Sequence, residues 1–307
     1  MDRIALKPPA LRAGDTVGVV APAAAIERSH LERGLEVVRA MGFRVRVSER
    51  ALSRDGVLAG TDAERARELQ AYFADPEVRA IFVARGGYGC GRLLPLLDFE
   101  AIALTPKPFL GFSDATFLLN ALVDKSSMVA FHGPMVAMDF ARGLGRRGFD
   151  HLRKLLTGEL RGFELSAREA VHPGAAEGLL IGGCLSVVVA MLGTPWAPSF
   201  DGRILFLEDT GEKAYRIDRM LVQLRQSGAL SRCAGLVFGA IRPIEGDEGE
   251  ARLIMRFIAE QTEGLGCPVL FGIEAGHGSE NLTLPFGLPV RVDASSRRLI
   301  VSEAAVS

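Results

Sequence analysis

Through the first half of the chain, short unbroken apolar runs alternate with stretches in which apolar residues recur every three or four positions. The runs Thr16–Ala21, Phe43–Val47, Arg79–Ala84, Pro108–Phe112 and Met128–Phe131 have the length and β-branched or aromatic content of strands. Between them, Glu27–Met41, Thr61–Asp75 and Asp114–Asp124 carry helical spacing. Thr61 with Glu64 three residues later spells a capping box, and Pro76 stops that helix. Such alternation predicts parallel strands covered by helices.

A stretch rich in Arg and Gly, residues 146–175, reads as a linker with a short helix at Asp150–Leu156. Beyond it come strands at Arg203–Leu207, Gly235–Phe238 and Pro268–Phe271, and helices at Tyr215–Arg225 and Glu250–Thr262. The chain closes with a hairpin of Pro289–Asp293 and Leu299–Ser302. A chain of 307 residues exceeds what one core usually serves. The expected fold class is therefore α/β: an N-terminal parallel-sheet domain over 1–145 and a smaller mixed α/β domain over 176–307.

Charge narrows the partners. With 36 basic and 37 acidic residues the chain has no electrostatic footprint for nucleic acid or an anionic membrane, so a small substrate is expected. Gly178–Phe200 is uncharged and long enough to span a bilayer, but Gly182, Gly183, Gly193, Pro195 and Pro198 break it. A buried strand, a glycine turn and a core helix account for it better. Cys90, Cys184, Cys233 and Cys267 have neither zinc-site nor redox spacing and read as reduced, buried thiols. The N-terminus lacks the apolar core of a signal peptide. A cytoplasmic protein without metal or cofactor is expected, and a homodimer is left open.

In an open parallel sheet, ligands bind beyond the carboxyl ends of the strands. Just after predicted strands lie Arg85-Gly86-Gly87, Ser113-Asp114, His132-Gly133, Glu208-Asp209 and Gly276-His277-Gly278. A serine nucleophile needs a base, and the base an orienting carboxylate. Ser113, His277 and Glu208 supply one of each, in an order also found in α/β-hydrolases. The amide of Asp114, with one from Gly86 or Gly87, would hold an oxyanion. Blander roles compete at each position: Ser113 and Glu208–Asp209 as helix caps, His277 as an exposed loop residue, the glycine run as a turn. His132 reads as a buried histidine. His30, His151 and His172 read as surface residues.

The segments RGGYGCGRLL (Arg85–Leu94), GFSDATFLLNAL (Gly111–Leu122), FHGPM (Phe131–Met135), FLEDTGEKAYRIDRML (Phe206–Leu221) and FGIEAGHGSENLTLPFG (Phe271–Gly287) together resemble the LD-carboxypeptidase family. Leu6–Ala23 is similar to that family's opening. This serine peptidase family also contains the microcin C self-immunity peptidases. The resemblance implies a triad of Ser113, Glu208 and His277, with the serine in the N-terminal domain and its partners in the C-terminal one. It implies cytoplasmic recycling of cell-wall peptides: release of D-Ala from a tetrapeptide ending in meso-diaminopimelate–D-Ala. Arg85 is the candidate anchor for the substrate's terminal carboxylate, since guanidinium pairs with carboxylate bidentately. Where family members carry Asn after the paired glycines this chain has Cys184, and no role is assigned to it. An esterase of the α/β-hydrolase type lacks support, because G-F-S-D-A misses the elbow's last glycine. A non-catalytic binding protein remains the alternative from another class.

Overall fold

The computed structural model describes residues 5–244 and 248–307. The chain divides into two compact units. One runs to Arg161 and also takes Leu282–Gly287 and Ala304–Ser307; the other comprises Gly162–Asn281 and Leu288–Glu303.

The first unit holds β1 (Thr16–Val20), β2 (Arg44–Val47), β3 (Val78–Val83), β4 (Phe109–Gly111) and β5 (Ala130–His132), with a late strand, Leu284–Phe286. Across the sheet the order is Leu284–Phe286, β5, β4, β3, β1, β2. Every pairing is parallel except that of the late strand with β5. The central strands are continuous apolar runs because both their faces are covered, and β3 is exposed only at Arg79. Helices α1 (Arg28–Ala40), α2 (Asp62–Ala74), α3 (Phe99–Leu104), α4 (Thr116–Ser126) and α5 (Arg146–Leu156) belong to this unit. Glycines set the close approaches. A Cβ on Gly18 of β1 would fall 2.3 Å from the Tyr72 ring of α2. One on Gly34 of α1 would fall 1.9 Å from the Val136 carbonyl oxygen. The capping box is present as written: the Glu64 amide donates to Thr61 Oγ1 and the Thr61 amide to the Glu64 carboxylate.

The second unit holds β6 (Phe163–Ser166), β7 (Glu169–His172), β8 (Ala175–Cys184), β9 (Ile204–Glu212), β10 (Gly235–Pro243) and β11 (Val269–Phe271). With Leu284–Phe286 as β12, the last strands are β13 (Pro289–Asp293) and β14 (Arg298–Val301). The sheet order is β6-β14-β13-β8-β9-β10-β11-β7. Its centre, β8 to β11, is parallel, and antiparallel strands flank it on both sides. The helices are α6 (Leu185–Met191), α7 (Ala214–Gln226), α8 (Ala229–Arg232) and α9 (Glu248–Thr262). The uncharged stretch from Gly178 is strand through Gly182 and Gly183 to Cys184 and then, with no glycine turn between, the short helix α6. No helix among the described residues is long and apolar enough to cross a membrane.

Residues 146–175 hold α5, β6 and β7 rather than irregular chain. The two strands are four residues each and largely exposed, so they leave no apolar run to read. The unexpected β12 is equally short. It is recruited by pairing with β5 rather than announced by its own pattern.

Replacing Thr61 by Ala removes the acceptor for the Glu64 amide and should lower stability by about 1 kcal/mol. A urea titration checks this: the midpoint should fall with an unchanged slope. An unchanged midpoint would mean the box contributes nothing.

Candidate active site

In the first unit, β4 ends at Gly111 and the chain turns sharply at Ser113, whose φ is +59°. A non-glycine residue in the left-handed region is strained and persists only where its surroundings enforce it. Ser113 is half-buried and opens a short 3₁₀ turn leading into α4. Its side chain is not the helix cap: the cap position of α4 is Ala115, and that of the 3₁₀ turn is Phe112. The capping role weighed for Ser113 is therefore not the one it plays.

The glycine run lies against this turn. A Cβ on Gly86 would sit 2.9 Å from Ser113 Cβ, 3.1 Å from its Oγ and 3.3 Å from the Asp114 amide nitrogen. Gly87 is exposed, with φ +102°, and a Cβ there would fall 2.9 Å from Ala24 Cβ. Two tethers hold the run. The buried Asp114 carboxylate accepts the Cys90 amide at 2.7 Å, and the buried Arg65 guanidinium donates to the Gly89 carbonyl at 3.1 Å. Burial raises the Asp114 carboxyl above its usual range, against the lowering effect of that amide. Arg85 is half-buried. Its Nη1 donates to the Ala25 carbonyl at 3.1 Å.

His132 packs between two rings, stacked on Phe286 at 5.3 Å and edge-on to Phe112 at 5.7 Å. It therefore braces the residue before Ser113. His30 is exposed as expected. His151 and His172 are not simply surface residues. His151 Nε2 donates to the Thr283 carbonyl at 2.9 Å, and burial lowers its pKa. His172 Nε2 lies 3.0 Å from Thr262 Oγ1.

In the second unit, β9 carries Glu208 with its side chain fully shielded from solvent. Its Oε2 accepts two hydrogen bonds from His277: one from Nδ1 at 2.6 Å, one from the backbone amide at 3.0 Å. An Nδ1–H held by carboxylate leaves Nε2 as the basic nitrogen. The imidazole keeps 20% of its side-chain surface exposed. Gly276, at φ +91°, makes the contact possible: a Cβ there would fall 2.5 Å from Glu208 Oε2. Asn281 fixes the same loop by accepting the Gly276 amide at 2.8 Å.

Asp209 points the other way and accepts the amide of Ser186 in the first turn of α6 at 2.7 Å. It does cap a helix, but one earlier in the chain than α7. Burial raises its pKa, opposed by that amide and assisted by the charge of Glu208. Cys184 pairs with Glu208 across β8 and β9. Burial, then the charges of Glu208 and Asp209, push its thiol well above the usual range. All four cysteines are buried, and among the described residues none forms a disulfide.

The structure thus brings Glu208 and His277 into contact in one unit, and in the other sets Ser113, Asp114 and Gly86–Gly87 side by side. Sequence reasoning gave no part to Asn281 or Arg65, and took Gly276 only as a loop residue and Asp209 only as a cap of the next helix. Gly276 beside His277 was the legible signal; a buried arginine on a charged helix gave none. No group of three or more His, Cys, Asp or Glu among the described residues could hold a metal ion.

Comparison with known proteins gives the family. The sequence matches the family models of the LD-carboxypeptidase N-terminal domain over residues 17–133 and its C-terminal domain over 177–292. A Streptomyces coelicolor relative is 40% identical over 98% of this chain and 97% of its own length. The murein tetrapeptide carboxypeptidase of Pseudomonas aeruginosa is 34% identical over 88% of this chain and 91% of its own. Among solved structures, the muramoyltetrapeptide carboxypeptidase of Oxalobacter formigenes superposes with a TM-score of 0.83 at 31% identity, covering 93% of this chain and 97% of that one. The microcin C7 self-immunity protein MccF, in complex with aspartyl sulfamoyl adenosine, gives 0.89 at 25% identity, covering 98% and 100%. With both of its domain models matched along most of the sequence, the chain belongs to the LD-carboxypeptidase family, a family of peptidases.

Proposed function

We propose that this peptidase is of the serine type and releases the terminal D-Ala from a cell-wall-derived tetrapeptide, with Ser113 as nucleophile, His277 as base and Glu208 as its orienting carboxylate. The observation that carries the reading is the shielded Glu208 carboxylate, 2.6 Å from His277 Nδ1. Such a pair fixes the tautomer and stabilises the imidazolium formed during turnover.

In the first step His277 Nε2 takes the Ser113 proton as Oγ attacks the scissile carbonyl. Negative charge moves onto the carbonyl oxygen, which the amides of Asp114 and Gly87 hold. The imidazolium then protonates the departing amine, the C–N bond breaks, and an acyl-serine ester remains. Water, deprotonated by His277, attacks the ester and Ser113 regains its proton. The strained turn at Ser113 supports the role of nucleophile. Arg85 is the anchor proposed for the terminal carboxylate. The relatives named for murein tetrapeptides support this substrate, while the complex of MccF with an aminoacyl-sulfamoyl nucleoside makes that ligand class the competitor.

Three outcomes are expected. Ser113→Ala should fold and lose activity by several decades, the cost typical of a missing triad member. A folded variant retaining above about a tenth of wild-type rate removes the assignment. Activity should fall on the acid side as His277 becomes protonated, and a chelator should leave it unchanged. A chelator-induced loss restored by zinc would replace the serine mechanism.

Gly276→Ala places a methyl group on the Glu208 carboxylate. Its kcat should drop about a hundredfold, as for a misplacement of about 1 Å, with near-native circular dichroism. A kcat near wild type would mean the pair tolerates displacement.

Substrate choice is read from a panel: a tetrapeptide ending in meso-diaminopimelate–D-Ala, its L-Ala epimer, its C-terminal amide, and an aminoacyl-sulfamoyl nucleotide. Only the first should turn over efficiently. Preference for the nucleotide moves the chain to the immunity branch with the triad intact. Equal rates on the D and L peptides end the LD-carboxypeptidase reading of this site.

A further inference from the structure

Arg65 lies on α2, outside the groups to which the proposed chemistry gives a part, and its side chain is only 1% exposed. Its guanidinium nonetheless reaches the carboxyl end of the first sheet. Nε donates to the Gly60 carbonyl at 3.1 Å, Nη1 to the carbonyls of Pro22 and Gly89, and Nη2 to the Asp62 carboxylate. Pro22, Gly60 and Gly89 lie in the segments that follow β1, β2 and β3. We propose that Arg65 is a positioning residue: it fixes the peptide group between Gly86 and Gly87, and so the direction of the Gly87 amide assigned to the oxyanion.

The first argument is the path from the guanidinium to that peptide group. The Gly86 carbonyl accepts the Ala24 amide at 3.3 Å. Across a trans peptide the carbonyl and the N–H point in opposite directions, so this bond aims the Gly87 N–H away from Ala24. Pro22 lies two residues before Ala24, and Gly89 two residues after Gly87. One nitrogen, Arg65 Nη1, therefore ties both chains just outside the contact that sets the peptide plane. The Ala24 segment is docked in turn on the segment before Arg65: the Ala23 carbonyl accepts the Ala59 amide, and the Ala25 amide donates to the Val57 carbonyl, each at 3.0 Å.

The second argument is the approach at Gly89. Its φ is +129°, and a Cβ there would fall 2.8 Å from Arg65 Nη1 and 2.7 Å from Leu58 Cδ2. The run crosses the guanidinium where only bare backbone fits.

The third is the far end of the run. Asp62, which accepts Arg65 Nη2, also accepts Arg92 Nε at 2.8 Å. The start of α2 thus grips the run at Gly89 and again at Arg92. A lysine cannot reproduce this grip. Its three hydrogens share one nitrogen, whereas the planar fork serves three carbonyls and a carboxylate from three nitrogens.

The inference rests on the proposed serine mechanism for the use made of the Gly87 amide, and on geometry alone for how that amide is held. Arg65→Lys keeps the charge and removes the fork. On the tetrapeptide ending in meso-diaminopimelate–D-Ala its kcat should fall about a hundredfold, the cost of a misplaced oxyanion donor, with KM within about threefold of wild type. Amide hydrogen exchange without substrate is the second readout. The amides of Ala24, bonded to Gly86, and of Cys90, bonded to Asp114, should exchange at least about tenfold faster. The amide of Ile81 in β3, bonded to the Pro108 carbonyl, should keep its wild-type rate. Arg65→Met, which keeps an apolar stem and buries no charge, is measured beside it and should show the same pattern. A kcat within about threefold of wild type, a loss confined to KM, or equal acceleration at all three amides would overturn the role. Failure of both variants to fold would overturn it too, by making Arg65 a residue of the fold alone. Failure of the serine mechanism would appear separately, as selective acceleration at Ala24 and Cys90 in a protein whose unmodified form does not cleave the peptide.

Discussion

A carboxylate cannot lie fully out of water without partners, and Glu208 has no exposed side-chain surface. Several features of the second unit follow from that constraint. One oxygen takes both the imidazole and the backbone N–H of His277, so the loop is held at two atoms of one residue. The missing side chain at Gly276 opens the space, and Asn281 pins the loop from its far end. Successive residues of a strand face opposite ways. That alternation lets Asp209 hold the start of α6 while Glu208 serves the histidine. The adjacent pair of acids is thus one helix anchor and one imidazole anchor. Removing either should have different consequences: the first loosens a helix, the second frees the imidazole.

The first unit meets a different constraint, the positive φ of Ser113. Strain of this kind is held by the packing around it. Phe112, just before the serine, is braced by His132, itself stacked on Phe286. The glycine run is tied through Cys90 to Asp114 and through Gly89 to Arg65, and Gly86 rests on the serine itself. Asp114 therefore has two parts. In the proposed mechanism its amide faces the oxyanion, and its carboxylate holds the loop that would supply the second donor.

The parallel core of the first unit was legible because buried strands such as Val78–Val83 are continuous apolar runs, and the helix opened by Thr61 declared its own start. So was the Glu208–His277 pair, since both follow predicted strands. What stayed hidden was whatever depends on partners far away in sequence. β12 is three residues whose strand character comes from β5. Arg65 sits on a helix rich in charge, and nothing local marks it as buried. His151 and His172 looked like surface residues because their partners, Thr283 and Thr262, lie 132 and 90 positions on.

The path of the chain adds a folding argument. The first unit is completed only by residues from the far end: Leu284–Phe286 adds a strand to β5, and Ser307 exchanges backbone hydrogen bonds with Pro8 and Ala10. Phe286, one of those late residues, supplies the ring on which His132 stacks beside the turn at Ser113. The turn at Ser113 therefore cannot be fully braced until nearly the whole chain is present. Contacts of such long sequence separation form late, since loop closure must precede any gain from them. The order has a chemical consequence. A nascent or truncated first unit carries the serine but lacks the packing that holds its strained backbone, and the base arrives only with the second unit.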